Sequence, residues 1–120
     1  MRNFKELKIW QKGFQIALNS FSITETFPQQ EKFGLALQIN KAGVSIPSNI
    51  AEGSSRSSDK DYSRFIQISL GSSFELETQL LIAKSIKYGN QSLIESTLEL
   101  VAEEEKMLTA FLNSLSGGKA

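Results

Sequence analysis

The side chains that most often carry catalysis and metal binding are missing from this sequence. It contains no cysteine and no histidine, so thiolate nucleophiles, disulfides, histidine bases and the usual zinc or di-iron ligands are excluded. Carboxylates remain, and they suit only hard cations such as magnesium. The glutamates available for such a site are Glu52, Glu75, Glu77 and Glu105. We therefore predict a protein that is not an enzyme and that has no cofactor and no bound metal.

Glu75 and Glu77 are close enough in sequence to suggest a paired general acid and base. Residues two positions apart on a helix point in different directions, so these two carboxylates cannot act together on one substrate atom. This geometry argues against a glycosidase mechanism.

A structural role is the other interpretation of these polar residues. Pro47 stands inside an apolar helical pattern, where it removes one backbone hydrogen bond and kinks the helix. Asn49 and Glu52 lie three apart, beside the carbonyl groups that the proline frees. Glu75 and Gln79 lie four apart on the following helix. We predict that these four side chains form a buried polar network that maintains helix register, with a ligand pocket as the alternative.

The spacing of apolar residues predicts four helices and no strand. In the first helix the stripe consists of Leu7, Trp10, Phe14, Ala17 and Phe21, which also makes Trp10 a core residue rather than a base-stacking one. Similar stripes place the helices at about residues 5–26, 31–53, 58–88 and 91–115. Short connections force consecutive helices to run antiparallel. We predict one all-α domain over residues 1–120, an up-down-up-down four-helix bundle whose second helix is kinked at Pro47.

Charges balance overall but are unevenly distributed. Thirteen Lys and Arg residues oppose 13 Asp and Glu residues. Basic residues gather in the first helix and acidic ones in the fourth, where Glu105 occupies a position expected to be apolar. Such complementarity suits packing between neighbouring helices or subunits, and the alternative is two solvated faces with little net effect.

Charged residues scattered through the N-terminal segment argue against a signal peptide, and no later run is apolar enough for a membrane span. The lack of cysteine suits a reducing compartment. We expect a soluble, cytoplasmic protein with no membrane partner.

Five separated motifs occur in a recognisable order. They are F-K-E-L-K-I-W-Q-K at residues 4–12, F-P at 27–28, F-G-L at 33–35, V-S-I-P-S-N-I-A-E-G at 44–53 and G-S-S-F-E-L-E-T-Q-L at 71–80. With these motifs the chain resembles the four-helix-bundle proteins encoded within intervening sequences of bacterial 23S ribosomal RNA genes, a family also similar to accessory proteins of diversity-generating retroelements. The resemblance covers nearly the whole chain. It implies a non-enzymatic homo-oligomer, a five-fold ring in family members, that contacts RNA or DNA through basic surface residues.

The resemblance directs attention to the basic side chains. The family often carries two arginines after its Q-I pair in helix two, whereas this chain has Asn40 and Lys41, which keeps one cation and loses a bidentate phosphate contact. The alternative is that scattered lysines only solvate the bundle. The candidate nucleic-acid-binding residues are Arg2, Lys5, Lys8, Lys12, Lys41, Arg56, Lys60 and Arg64.

From the resemblance we predict an accessory protein that forms a homo-oligomer, a pentamer by analogy with the family. It would bind RNA, or a partner such as a reverse transcriptase or another nucleic-acid enzyme. The first alternative is a protein-protein interaction adaptor that uses its acidic fourth helix and binds no nucleic acid. The second is a bundle enzyme with carboxylate-bound magnesium.

Overall fold

The computed structural model describes residues 3–117, and these residues form four α-helices. The helices are α1 (Lys8–Thr24), α2 (Leu35–Ser54), α3 (Asp59–Ser85) and α4 (Gln91–Leu115). A single 3₁₀ turn precedes each of the first two helices, at Phe4–Glu6 and at Gln29–Glu31. No strand occurs within residues 3–117. The prediction of an all-α protein with four helices is confirmed.

Side-chain caps explain where α3 and α4 begin. The Ser58 hydroxyl accepts a hydrogen bond from the backbone N–H of Asp61 at 3.1 Å. The Asn90 side chain accepts one from the backbone N–H of Leu93 at 3.0 Å. Each cap satisfies an amide that has no partner inside its own helix, and so each marks a helix start.

The first two helices begin later than the sequence predicts. α1 begins at Lys8 rather than near residue 5, because residues 4–6 form a separate 3₁₀ turn capped by Asn3. α2 begins at Leu35 rather than near residue 31, because a second 3₁₀ turn comes first. Helical periodicity in the sequence continues through such turns, so it does not reveal where the backbone changes from 3₁₀ to α.

The buried residues of each helix recur at alternating spacings of three and four. In α1 they include Ile9, Gly13, Ile16, Ser20 and Ile23. The same spacing in α3 selects Tyr62, Ile66, Ser69, Ser73, Leu76, Leu80 and Ala83. This is the pattern of helices that cross at small angles and interlock their side chains. The large buried side chains of all four helices form one contiguous core.

The aromatic stripe predicted for α1 is not its core stripe. Phe14 and Phe21 are 46% and 47% exposed and Trp10 is half-buried, whereas Ile16 and Ile23 are completely buried. The two stripes lie side by side on the helix. The prediction is wrong for Phe14 and Phe21, because side-chain size does not decide burial and large aromatic residues commonly remain partly exposed. Ala17 of the same stripe is buried, and Trp10 packs against the core.

Small residues let α2 approach its neighbours closely. A Cβ added at Gly43 would lie 2.6 Å from the Ser20 hydroxyl oxygen of α1, and one added at Gly53 would lie 2.9 Å from the Tyr62 ring of α3. Pro47 lies inside α2 and is buried. Contacts join α1 to α2, α2 to α3, α3 to α4 and α1 to α4, so every helix packs against two others.

None of the helices in the described residues has the length and apolar character needed to cross a bilayer.

Candidate functional site

A groove lined by large apolar side chains lies between α1 and α2. Phe14, Leu18 and Phe21 project from α1 and Val44 projects from α2, and each is between 41% and 48% exposed. With Pro47 they line a groove of about 350 Å³. These residues are exposed because they stand beside the isoleucine stripe that α1 uses for the core. Clustered apolar groups on a surface mark a place where another molecule binds. We call this surface the α1–α2 groove.

Aromatic rings extend the α1–α2 groove toward the start of the chain. The Trp10 ring stacks on Phe14 with centroids 5.1 Å apart and meets the edge of Phe4 at 5.4 Å. The 3₁₀ turn that carries Phe4 contacts both α1 and α2. Trp10 therefore packs between two aromatic rings at the rim of the core rather than at its centre.

A shallower depression of about 540 Å³ covers the outer face of α2. Leu37 and Phe21 line it, together with Lys41 and Val44. Phe21 and Val44 belong to both depressions. The apolar surface is therefore continuous across α2, with one basic residue inside it.

The four residues of the predicted polar network lie in different environments. Asn49 donates hydrogen bonds to the carbonyl and the hydroxyl of Ser45, one turn earlier in its own helix, at 2.9 and 2.8 Å. Glu52 accepts a hydrogen bond from an arginine of the α2–α3 connection at 2.7 Å. Glu75 is exposed, and Gln79 is buried with its Oε1 atom unpaired. A network that joins all four remains a prediction.

Hydroxyl groups supply the polar contacts between α2 and α3. The Ser45 and Ser72 hydroxyl oxygens lie 2.8 Å apart. Ser69 donates a hydrogen bond to the backbone carbonyl of Ile46 at 2.9 Å. The sequence offered a signal for this contact, because Ser69 occupies a core position of the α3 spacing, but it pointed equally to simple close packing.

The acidic residue in the core stripe of α4 is Glu104, not Glu105. The buried positions of α4 are Ile94, Thr97, Val101, Glu104 and Leu108, spaced by three and four. Glu105 lies one position around the helix and is half-buried. Sequence reasoning missed Glu104 because an apolar residue was expected at core positions. Within residues 3–117, no group of three or more acidic side chains is arranged to hold a metal ion.

Both neighbouring glutamates have a raised pKa. Glu104 is completely buried and neither of its carboxyl oxygens has a hydrogen-bond partner within residues 3–117. Burial raises the pKa of Glu104 from 4.5 to about 8, and the positive charge of Lys12 opposes part of this rise. Burial, with the negative charge of the nearby Glu77, raises the pKa of Glu105 from 4.5 to about 7. Glu104 is therefore mainly a neutral acid at neutral pH.

Three candidate basic residues lie at the start of the described chain. Lys5 is in the first 3₁₀ turn and Lys8 is the first residue of α1, and both are exposed. Lys12 pairs with Glu103 of α4 at 2.6 Å, an ion pair of the kind that the complementary charges of these helices predict. Arg2 lies outside the described residues.

Three more candidates lie at the connection between α2 and α3. Arg56 pairs with Glu52 at 2.7 Å, and its guanidinium lies 4.6 Å from the centre of the Phe65 ring. Arg64 pairs with an aspartate in its own helix turn at 3.6 Å and lies 5.9 Å from the same ring. Lys60 is an exposed residue in the first turn of α3. The aromatic ring thus holds two arginines close together.

The remaining candidate is Lys41. It lies on the outer face of α2 and belongs neither to the group at the start of the chain nor to the group at the α2–α3 connection. Across residues 3–117, Lys5, Lys8, Lys41 and Lys60 form no ion pair with a carboxylate. An unpaired cation can approach a phosphate without first breaking an existing pair. These four lysines are therefore the best placed of the predicted nucleic-acid contacts.

Comparison with known families gives the resemblance a firm basis. The sequence pattern of a family described as 23S rRNA-intervening sequence protein matches residues 5–110. The chain belongs to this family. The resemblance drawn from the five sequence motifs is confirmed.

A solved structure supports the same fold for this member of the 23S rRNA-intervening sequence family. It is the crystal structure of a protein of unknown function from the S23 ribosomal protein family of Bacteroides thetaiotaomicron VPI-5482. The match has a TM-score of 0.80 and 24% sequence identity, and it covers 87% of this chain and 97% of the other. At this identity the likeness establishes the fold. Among curated proteins, none matches this sequence.

Proposed function

We propose that this member of the 23S rRNA-intervening sequence family is a non-enzymatic, cytoplasmic accessory protein that self-associates and binds RNA or a nucleic-acid-processing partner. The α1–α2 groove is the observation that carries the proposal. A single chain leaves Phe14, Leu18 and Phe21 almost half exposed to water. Burying them against another copy removes that apolar surface from solvent, which favours association.

We propose an up-down-up-down topology for each subunit. Support comes from helix contacts in which the residue number rises along one helix and falls along its neighbour. The pairs are Gly13 with Pro47, Ser20 with Gly43, Tyr62 with Phe111, and Lys84 with Glu95. A kink of α2 at Pro47 is proposed with it, because proline inside a helix lacks the amide hydrogen and crowds the preceding turn.

We propose that the copies form a closed ring. A second set of exposed apolar residues lies on α3 and at its C-cap, and none of them lines the α1–α2 groove: Ile68, Phe74, Leu81, Ile82 and Ile86. When a groove on one copy meets a different surface on the next, the contact is heterologous and closes into a ring if the rotation allows. A pentamer is the ring size that the family resemblance implies.

Sedimentation velocity tests the self-association. The wild-type protein is expected to sediment at a multiple of its 13.3 kDa chain mass at micromolar concentration. Phe21→Glu, which places a charge in both apolar depressions, is expected to reduce that mass to a single chain. Phe33→Ser is the matched control, because Phe33 is 82% exposed and lines neither depression. A wild-type protein that is monomeric and folded contradicts the assembly.

Four unpaired lysines support the nucleic-acid part of the proposal, and the way in which a ring multiplies weak contacts supports it further. Fluorescence anisotropy with a labelled RNA across a salt series is the test. Binding should weaken as salt rises, because each neutralised phosphate releases counterions. Lys5→Glu with Lys8→Glu should lower both the affinity and the salt slope. Lys32→Glu with Lys87→Glu makes the same charge change elsewhere and should alter neither. Equal losses in both double variants, or no salt-dependent binding, contradict RNA binding.

The exposed carboxylate of Glu99, with those of Glu95 and Glu103, favours a second candidate function on α4. This face would dock a basic protein partner without any nucleic acid. Glu95 and Glu103 already pair with Lys84 and Lys12, which leaves Glu99 as the main contact. Glu99→Lys should then abolish recovery of the partner in pull-downs while RNA binding stays absent throughout. Unchanged recovery excludes this role for α4.

A further inference from the structure

Glu104 is an acidic residue at a core position of α4, where apolar side chains are usual. Its side chain is completely buried and neither carboxyl oxygen has a hydrogen-bond partner within residues 3–117. A buried charge without a partner is among the most unfavourable arrangements in a protein. The present packing of α4 is therefore compatible with the neutral acid and not with the carboxylate.

The opposite helix leaves room for this carboxyl group. A Cβ built on Gly13 of α1 would lie 3.0 Å from Oε2 of Glu104 and 3.1 Å from a methyl carbon of Ile46. Glycine within a helix is unfavourable relative to alanine. The glycine leaves space for two side chains at once, the Glu104 carboxyl group and Ile46, and a larger residue would force one or both of them to shift.

The charges around Glu104 do not offer it a ready counterion. From α1, Lys12 attracts Glu104, but its ammonium already binds Glu103 at 2.6 Å. From α2, the neighbour is the uncharged side chain of Ile46. Ionised Glu104 would therefore have to take Lys12 from Glu103 or move toward water.

The α3 side of α4 carries a second carboxyl contact. Glu105 is half-buried, and its Oε2 atom is buried without a hydrogen-bond partner within residues 3–117. The negative charge of the half-buried Glu77 of α3 acts on it. Burial and a nearby negative charge both favour the protonated form of a carboxyl group. α4 therefore packs on α1 and on α3 through carboxyl groups that favour the neutral form.

We propose that α4 is a proton-dependent latch, packed on α1 and α3 while Glu104 and Glu105 keep their protons, and released when these protons are lost. Release exposes the apolar stripe of α4 and the core surface beneath it. By linkage, any molecule that binds the open form binds more tightly at alkaline pH.

The direction of the pH effect follows from the pKa values. The pKa of Glu104 is about 8 in the folded protein and 4.5 ordinarily. Between these limits the folded state holds a proton that the open state has lost, so closure weakens as pH rises. One proton changes the opening equilibrium by up to about tenfold per pH unit. The dependence ends above the folded-state pKa, and Glu105 adds to it below about pH 7.

Hydrogen exchange measured by mass spectrometry at about pH 6 and about pH 9, on either side of the Glu104 pKa, tests the latch. After correction for intrinsic exchange rates, protection of α4 in the wild-type protein is expected to fall at least tenfold more than protection of α2. Glu104→Gln keeps a neutral side chain of the same size and should remove most of this fall. Glu99→Gln, an exposed neutralisation on the same helix, should leave it unchanged. Equal behaviour of wild type and Glu104→Gln, or an α4 that stays protected at high pH, overturns the proposal.

Gly13→Ala tests the contact between α1 and Glu104 of α4. Its methyl group should displace the Glu104 carboxyl and lower α4 protection even at about pH 6, where the wild type is closed. Adding Glu104→Ala should restore part of the protection, because the contact with the acid is removed while the contact with Ile46 remains. A double variant no better protected than Gly13→Ala alone would show that the glycine serves another purpose, and the latch would lose its α1 contact.

Discussion

α2 and α4 use the same spacing of buried residues but pack in opposite chemical ways. At the α2–α3 contact hydroxyl groups have partners: the buried Ser69 donates to the Ile46 carbonyl, and the half-buried Ser45 and Ser72 meet each other. At the contacts of α4 they are carboxyl groups, and Glu104 has no hydrogen-bond partner within residues 3–117. Hydroxyl groups do not titrate at physiological pH, whereas carboxyl groups do. The same spacing of buried residues therefore gives an α2–α3 contact that is insensitive to pH and α4 contacts that depend on pH.

The largest expected effect breaks the α2 side of this comparison. Ile39→Ala removes a completely buried α2 side chain from the core and should lower the free energy of unfolding by about 2 to 5 kcal/mol. Urea denaturation measures the loss, which should be the same at about pH 6 and about pH 9 because no titrating group is removed. Val44→Ala on the exposed face of the same helix is the control, with an expected loss below about 1 kcal/mol. A loss for Ile39→Ala that depends strongly on pH would erase the distinction between the two contacts.

Glu104→Leu makes the α4 contact resemble the α2 contact. The change replaces a buried acid without hydrogen bonds by an apolar side chain of similar size, and should stabilise the protein by about 1 to 3 kcal/mol near neutral pH. The gain should grow as pH rises from 4.5 toward 8, since the wild type becomes less stable over this interval. Denaturation curves at several pH values check both statements. Destabilisation at every pH would mean that the carboxyl group makes a favourable contact.

Ser69→Ala probes the α2–α3 hydroxyl contact with a smaller change. It removes a buried hydrogen bond to the Ile46 carbonyl and should cost about 1 kcal/mol. Thermal or urea unfolding of this variant should show the same cost across the pH range. Thr78→Ala, which removes a hydroxyl bonded within its own exposed helix turn, supplies the comparison and should cost less. Equal costs would mean that the contact between helices contributes nothing beyond the local bond.

The smallest expected effect concerns the ion pair between α1 and α4. A double-mutant cycle with Lys12→Met and Glu103→Gln should give a coupling of about 0.2 to 1 kcal/mol that decreases with salt, as for other exposed pairs. Lys12→Met alone should also raise the pKa of Glu104 further, because the positive charge that lowers it is lost. If it does, the fall in stability with pH will occur at higher pH in the variant than in the wild type. An unchanged pH dependence would mean that Lys12 does not influence the pKa of Glu104.

Local signals in the sequence predicted the helices well. The spacing of apolar residues, which involves groups only a few positions apart, predicted four helices, and the structure has four within residues 3–117. The family assignment rested on ordered motifs and is confirmed over residues 5–110. Burial was harder to predict. Phe14 and Phe21 were assigned to the core and are half exposed, because a helix with two adjacent apolar stripes does not reveal which one its neighbours cover.

The candidate sites show the same division. The sequence indicated attraction between the basic first helix and the acidic fourth helix, but not that Lys12 rather than Lys8 would form the ion pair, nor that Arg56 would be paired and Lys60 not. The pairing depends on residues from another helix or another turn. Glu104 is the clearest case: its burial requires the space left by Gly13, 91 positions earlier in the chain.

The amino-acid sequence by itself determined that this protein is all-α, that it has four helices, and that it lacks histidine and cysteine chemistry. These properties depend on composition and on short-range contacts along the chain. Only the tertiary structure decided which apolar stripe of α1 is buried, where the α1–α2 groove lies, and that Glu104 is a neutral acid in the core. The physical reason is that burial and pKa are properties of the space around a residue, and that space is made by helices distant in sequence.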